Sequence, residues 1–236
     1  MAPASGRALV LRVTPYGEAD LIVDLLFEEQ GRLAALARSA RRSHRRFGGA
    51  LQIGTRLQVR LAMGRGLPTL SDCDLESVLN ATLTDLERIS QLSYVVEIAR
   101  TFSKEGEGDP QMFGLVAAYL DALEAESASD EALALWELAM LAHLGYGLRL
   151  GPCRVTGGAA NALSLAAGGA VQAGAVNDAE LIPPPALAVL SALTRGEQAA
   201  HLRPEDREPV RRAFARIWAR IAGRPLRSAA FVLPFG

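Results

Sequence analysis

Near residue 80 the hydrophobic spacing of this 236-residue chain switches from a period of two to spacings of three and four. A period of two sends alternate side chains to opposite faces of a strand, whereas spacings of three and four line one face of a helix. No single element satisfies both. The order predicts an α+β protein, with residues 1–80 forming a β-barrel and residues 81–236 a helical domain.

The clearest strand is Arg56–Met63, with Leu57, Val59, Leu61 and Met63 on one face and Arg56, Gln58 and Arg60 on the other. Ala8–Val13, Leu21–Phe27, Leu33–Ala37 and Leu67–Leu70 read as four more strands, and Pro15–Glu18 as a turn. Five short strands with an excursion between the third and fourth fit a small closed barrel of the oligonucleotide-binding (OB) type better than a sandwich. Beyond residue 80, Leu86, Ile89, Leu92, Val96, Ala99 and Phe102 mark one amphipathic helix, and Met112, Val116, Leu120 and Leu123 a second. A third is expected to start from Asp130 as N-cap and to end at Gly145. Residues 151–182 are rich in Gly and Ala and read as an irregular insertion. Pro183–Pro185 leads into a short helix, and a final helix spans about 205–222 with Val210, Phe214, Ile217, Trp218 and Ile221 inward.

The net charge of −1 conceals three blocks: +6 over residues 1–65, −11 over 66–151 and +4 over 152–236. The basic excess of the first block concentrates in residues 38–46, where Arg38, Arg41, Arg42, Arg45 and Arg46 occur with no acid between them. Like charges this close repel, and a polyanion such as a nucleic-acid backbone relieves them. A solvated loop is the other reading of such a run. Arg56, Arg60 and Arg65 would extend the same basic face. A second arginine stripe, Arg212, Arg216 and Arg220 at i, i+4, i+8, is either a solvated helix face or a place for an acidic partner.

Catalytic motifs are missing: no HExxH, GxSxG or Walker A occurs, and the three histidines stand in three separate segments. We therefore expect no enzyme. Two cysteines, Cys73 and Cys153, make no disulfide framework and suit a reducing cytoplasm. No apolar run has membrane-spanning length, and the N-terminus has no signal-peptide pattern. The first 80 residues offer only Tyr16, Phe27 and Phe47 as aromatics, and Phe27 ends an apolar strand. With at most two candidates for stacking bases, nucleic-acid binding is expected to rest on phosphate contacts, tolerant of sequence and sensitive to salt.

Several segments, in order, carry a family resemblance: Ala8–Leu11 through Tyr16–Asp20, Glu28–Leu33 with Ala37–Arg46, Leu141–Leu148, and Gly223–Ser228. Together they resemble the bacterial RecO family of recombination mediators. The resemblance implies an OB barrel followed by a helical domain and binding of single- and double-stranded DNA. It also implies strand annealing, and loading of RecA, with RecR, onto DNA coated by single-stranded-DNA-binding protein, all without enzymatic turnover and in the cytoplasm with the nucleoid. It assigns the DNA contacts to Arg38, Arg41, Arg42, Arg45 and Arg46. It also implies a four-cysteine zinc module in the insertion, and here this sequence departs. The matching positions are Cys153, Thr156, Gln172 and Ala175, so the insertion reads as a zinc-module remnant without zinc. Two other readings stay open for the basic face, a non-catalytic protein adaptor and an RNA-binding OB barrel.

Overall fold

The computed structural model describes residues 4–42, 47, 49–64, 66–125, 129–197 and 199–233. Two compact units emerge, residues 1–126 and 127–236.

The first unit opens with strands β1 (Ala4–Tyr16), β2 (Asp20–Phe27), β3 (Gly31–Ala37), β4 (Arg56–Ala62) and β5 (Thr69–Ser77). They close into the expected barrel in the order β1-β2-β3-β5-β4. β1 is longer than its periodicity suggested because it serves two neighbours. Its first half pairs with β4 and its second with β2, and a register shift falls between Val10 and Arg12. Closure is made by the parallel pairing of Leu36 with Thr69. The interior is filled by Ala8, Val10, Val23, Leu25, Phe27, Ala35, Leu57, Val59, Leu61 and Leu70. Phe47, a candidate for base stacking from sequence, is only 5% exposed and plugs this same core. β5 runs on to Ser77, past the expected Leu67–Leu70. Its outer acids Asp72 and Glu76 break the apolar alternation, but Asp72 pairs with Arg60 on the neighbouring β4 and Glu76 with Arg7 on β1, one strand further on.

Helices α1 (Leu86–Phe102) and α2 (Pro110–Ala125) complete this unit. Asp85 caps α1 by accepting the N–H groups of Glu87 and Arg88, and Asp109 accepts that of Met112 at the start of α2. Arg88 then donates to the carbonyls of Leu123 and Glu124, satisfying the far end of α2. Their mutual face buries Gln91 hydrogen-bonded to Tyr119.

In the second unit α3 spans Asp130–His143. Its N-cap is Ser129 and not Asp130: the Ser129 hydroxyl accepts the N–H of Ala132, while Asp130, one residue inside, is buried against Arg211. The insertion is more ordered than its Gly/Ala composition suggested. Strands β6 (Ala162–Ser164), β7 (Gly169–Val171) and β8 (Glu180–Leu181) form a small sheet in the order β7-β6-β8. The three-residue strands β6 and β7 are buried throughout and β8 has only two residues, so none leaves an alternating pattern to read. Helices α4 (Pro184–Thr194), α5 (Pro204–Ala222) and α6 (Ala229–Val232) follow. The core of α5 is anchored by Trp218, whose indole N–H donates to buried Glu137 at 3.1 Å. Among the described residues no helix is long and apolar enough to cross a membrane.

Candidate nucleic-acid interface

Three connections meet at one end of the barrel: the β1–β2 turn, the chain leaving β3, and the start of β5. The Leu36–Thr69 pairing and the bond from Leu36 N–H to Pro68 C=O (2.8 Å) join the last two. The turn after β3 is fastened to the first. Ser39 adopts a left-handed conformation (φ 56°) and donates its N–H to the Asp20 carboxylate at 2.7 Å. Arg41 donates its backbone N–H to the Ala19 carbonyl (3.0 Å) and a guanidinium N–H to that of Glu18 (3.3 Å). Nothing in local sequence announced this clamp, because its two halves lie about twenty residues apart.

The clamp leaves Arg38, Arg41 and Arg42 exposed and close together in the chain. Arg38 and Arg41 meet no carboxylate among the described residues. Arg42 faces Glu18 at 3.5 Å, with both side chains mostly in water, a weak pair that a phosphate can displace. Arg45, Arg46 and Arg65 lie outside the described residues.

The strand arginines behave differently. Arg60, on the outer face of β4, pairs with Asp72 at 3.0 Å, both more than half exposed. Arg56 begins β4, at the other end of that strand from the turn into β5. Its side chain is 15% exposed, 2.8 Å from Asp121 of α2 and 3.9 Å from Glu76. Arg7 joins this network through Glu76 and Glu28 and lies over the ring of Phe113.

In the second unit, the stripe on α5 is already engaged. Arg216 and Arg220 both reach Glu180 (3.4 and 3.0 Å), and Arg212 pairs with Glu208. Beside it runs a groove of about 540 Å³ lined by Leu181, Ile182, Pro183, Pro209, Arg212 and Arg216.

The positions that match a zinc module do not suit one. Cys153 is buried with Ala162 and Val171, and its Sγ accepts backbone N–H groups from Thr156 (3.5 Å) and Gln172 (3.1 Å). Bonds from Thr156, outweighing burial, hold the thiol down to about 7. A thiol beside Thr156, Gln172 and Ala175 lacks the four strong N or S donors of a structural zinc site.

A closed five-stranded OB-type barrel followed by helices defines an α+β class of protein. Within it, residues 1–78 match the model for the recombination protein O N-terminal domain and residues 83–230 that for its C-terminal domain. The chain is 36% identical over 236 residues to the DNA repair protein RecO of Myxococcus xanthus, covering 97% of this chain and 96% of that one. It is 36% identical to its namesake from Anaeromyxobacter dehalogenans, over 83% and 79% of the two chains, and 37% identical to that of Geobacter sulfurreducens, over 66% and 65%. The chain belongs to the RecO family of DNA repair proteins.

Proposed function

We propose that this protein binds single- and double-stranded DNA through the barrel end bearing Arg38, Arg41 and Arg42, with Arg45, Arg46 and Arg65 continuing the same grip. The observation that carries the reading is the clamp on the β1–β2 turn, which leaves Arg38 and Arg41 without a carboxylate among the described residues and Arg42 only weakly paired with Glu18. Phosphates would neutralise these arginines, and screening two backbones at once lets complementary strands approach and anneal. Arg60 would join by exchanging Asp72 for a phosphate. Arg56, held by Asp121 and Glu76, serves the packing of barrel on helix. No catalytic step is needed for this role. By family membership the same activity would serve RecA loading together with RecR, in the cytoplasm at the nucleoid.

The test is fluorescence anisotropy of labelled DNA with the full chain across a salt series. Wild type should bind with a steep salt slope, and Arg38, Arg41 and Arg42 changed together to Glu should weaken binding by about a hundredfold or more and flatten that slope. Unchanged affinity in the folded variant overturns the reading, and a strong preference for RNA competitor would favour an RNA-binding barrel.

The groove beside Arg212 and Arg216 supports a second reading, a seat for the acidic, apolar tail of single-stranded-DNA-binding protein. The exposed Leu181 and half-buried Pro183 would take apolar side chains, and the arginines the acids. Titrating a tail peptide against the full chain and against Arg212→Ala/Arg216→Ala tests it without DNA.

A further inference from the structure

Tyr16 ends β1 with 56% of its surface exposed. The other aromatics of residues 1–126 are placed otherwise. Phe27, Phe47, Tyr94, Phe113 and Tyr119 are buried, and Phe102 is half-buried. One aromatic face is thus offered to solvent on this unit, and it belongs to the same turn that clamps the arginines. Tyr16 stands opposite Asp20 in the β1–β2 register, and Asp20 is the acceptor for Ser39 N–H. The next two residues after Gly17 supply the carbonyls that hold Arg41. No partner for the Tyr16 hydroxyl occurs among the described residues.

We propose that Tyr16 stacks on one unpaired base of a strand whose phosphates are held by Arg41 and Arg42, and that this contact gives the barrel its preference for single strands. The proposal rests on the reading that this end of the barrel binds DNA. Its physics is separate from the charge contacts. Phosphates are presented by single and double strands alike, so Arg41 and Arg42 grip both. A base offers its face to an aromatic ring only when it is unpaired, and such stacking is tolerant of base identity. The hairpin fixes the ring's place: Tyr16 is paired in the ladder and Gly17 makes the turn at φ 59°, so little order remains to be imposed on binding. A single stacked base accounts for a modest discrimination and for weak sequence preference.

The test compares wild type, Tyr16→Ala and Tyr16→Trp as full chains on three labelled probes: oligothymidylate, an abasic strand of equal length, and a blunt duplex. Tyr16→Ala should bind oligothymidylate about tenfold more weakly, with an unchanged salt slope, and should match wild type on the abasic strand and the duplex. Tyr16→Trp should restore the affinity, with its indole fluorescence quenched by oligothymidylate. Wild-type affinity of Tyr16→Ala for oligothymidylate overturns the proposal, as does an equal loss on all three probes. If wild type binds none of the probes, or if the Arg-to-Glu variant binds as tightly as wild type, the DNA-binding reading itself fails.

Discussion

Gly31 and Gly108 face each other across the junction of the β2–β3 turn with the α1–α2 loop, and neither can carry a side chain. A Cβ on Gly31, which has φ 68°, would overlap the Glu107 carbonyl, and one on Gly108 would overlap that of Glu29. The reason is backbone-to-backbone contact. Arg32 donates its N–H to Lys104 C=O (2.9 Å) and accepts from Gly106 N–H (3.2 Å), extending the sheet by one bridge into the helical loop.

Gly108→Ala should therefore destabilise the protein by about 2 kcal/mol or more, because two stretches of backbone must separate. Gly114 provides the control. It lies in the interior of α2 with open space around it, so Gly114→Ala should stabilise by about 0.5–1 kcal/mol. Urea unfolding of the full chain reads both, and a neutral Gly108→Ala refutes the close approach.

Glu124 near the end of α2 accepts the N–H groups of Ala81 and Thr82, each at 2.8 Å. Burial works to raise its pKa, but those N–H donors and the charge of Arg88 outweigh it, and the carboxyl titrates below the ordinary 4.5. A depressed folded pKa gives stability that is complete above the unfolded value and vanishes as pH falls through the folded one. Glu124→Gln should cost about 1 kcal/mol at pH 7, and the gap to wild type should close progressively below about pH 4.5. Thermal midpoints from pH 3 to 7 check this, and a gap that persists at pH 3 rejects the ionic origin.

Arg56 and Arg41 should separate stability from binding. Arg56→Ala removes the link to Asp121 and Glu76 and should lower stability by about 1 kcal/mol while leaving DNA affinity within about threefold. Arg41→Ala should do the reverse, weakening DNA binding with little change in the urea midpoint. A larger affinity loss from Arg56→Ala would place that residue on the DNA track.

The insertion should hold its fold without zinc. Elemental analysis of the purified chain should find far less than one zinc per molecule, and a chelator should leave the thermal midpoint unchanged. Cys153→Ala should cost about 1–2 kcal/mol, since a buried side chain is truncated and the N–H groups of Thr156 and Gln172 lose their acceptor. Stoichiometric zinc would overturn this.

How much was legible in advance depends on the range of the interaction. The alternation of Leu57, Val59 and Leu61 and the three-and-four spacing from Leu86 to Phe102 determined the β-then-α order, because strand and helix periodicity are properties of adjacent residues. The run from Arg38 was legible in the same way. Pairings between distant residues were not. Only the tertiary structure placed Phe47 in the core, drew Arg56 into a network with Asp121, turned acidic β5 outward, and fastened Arg41 to the turn beside Tyr16. Charge and periodicity are written locally, whereas the side a residue faces and the partner it meets depend on closing the barrel, which brings together chain segments that carry no sequence signal of each other.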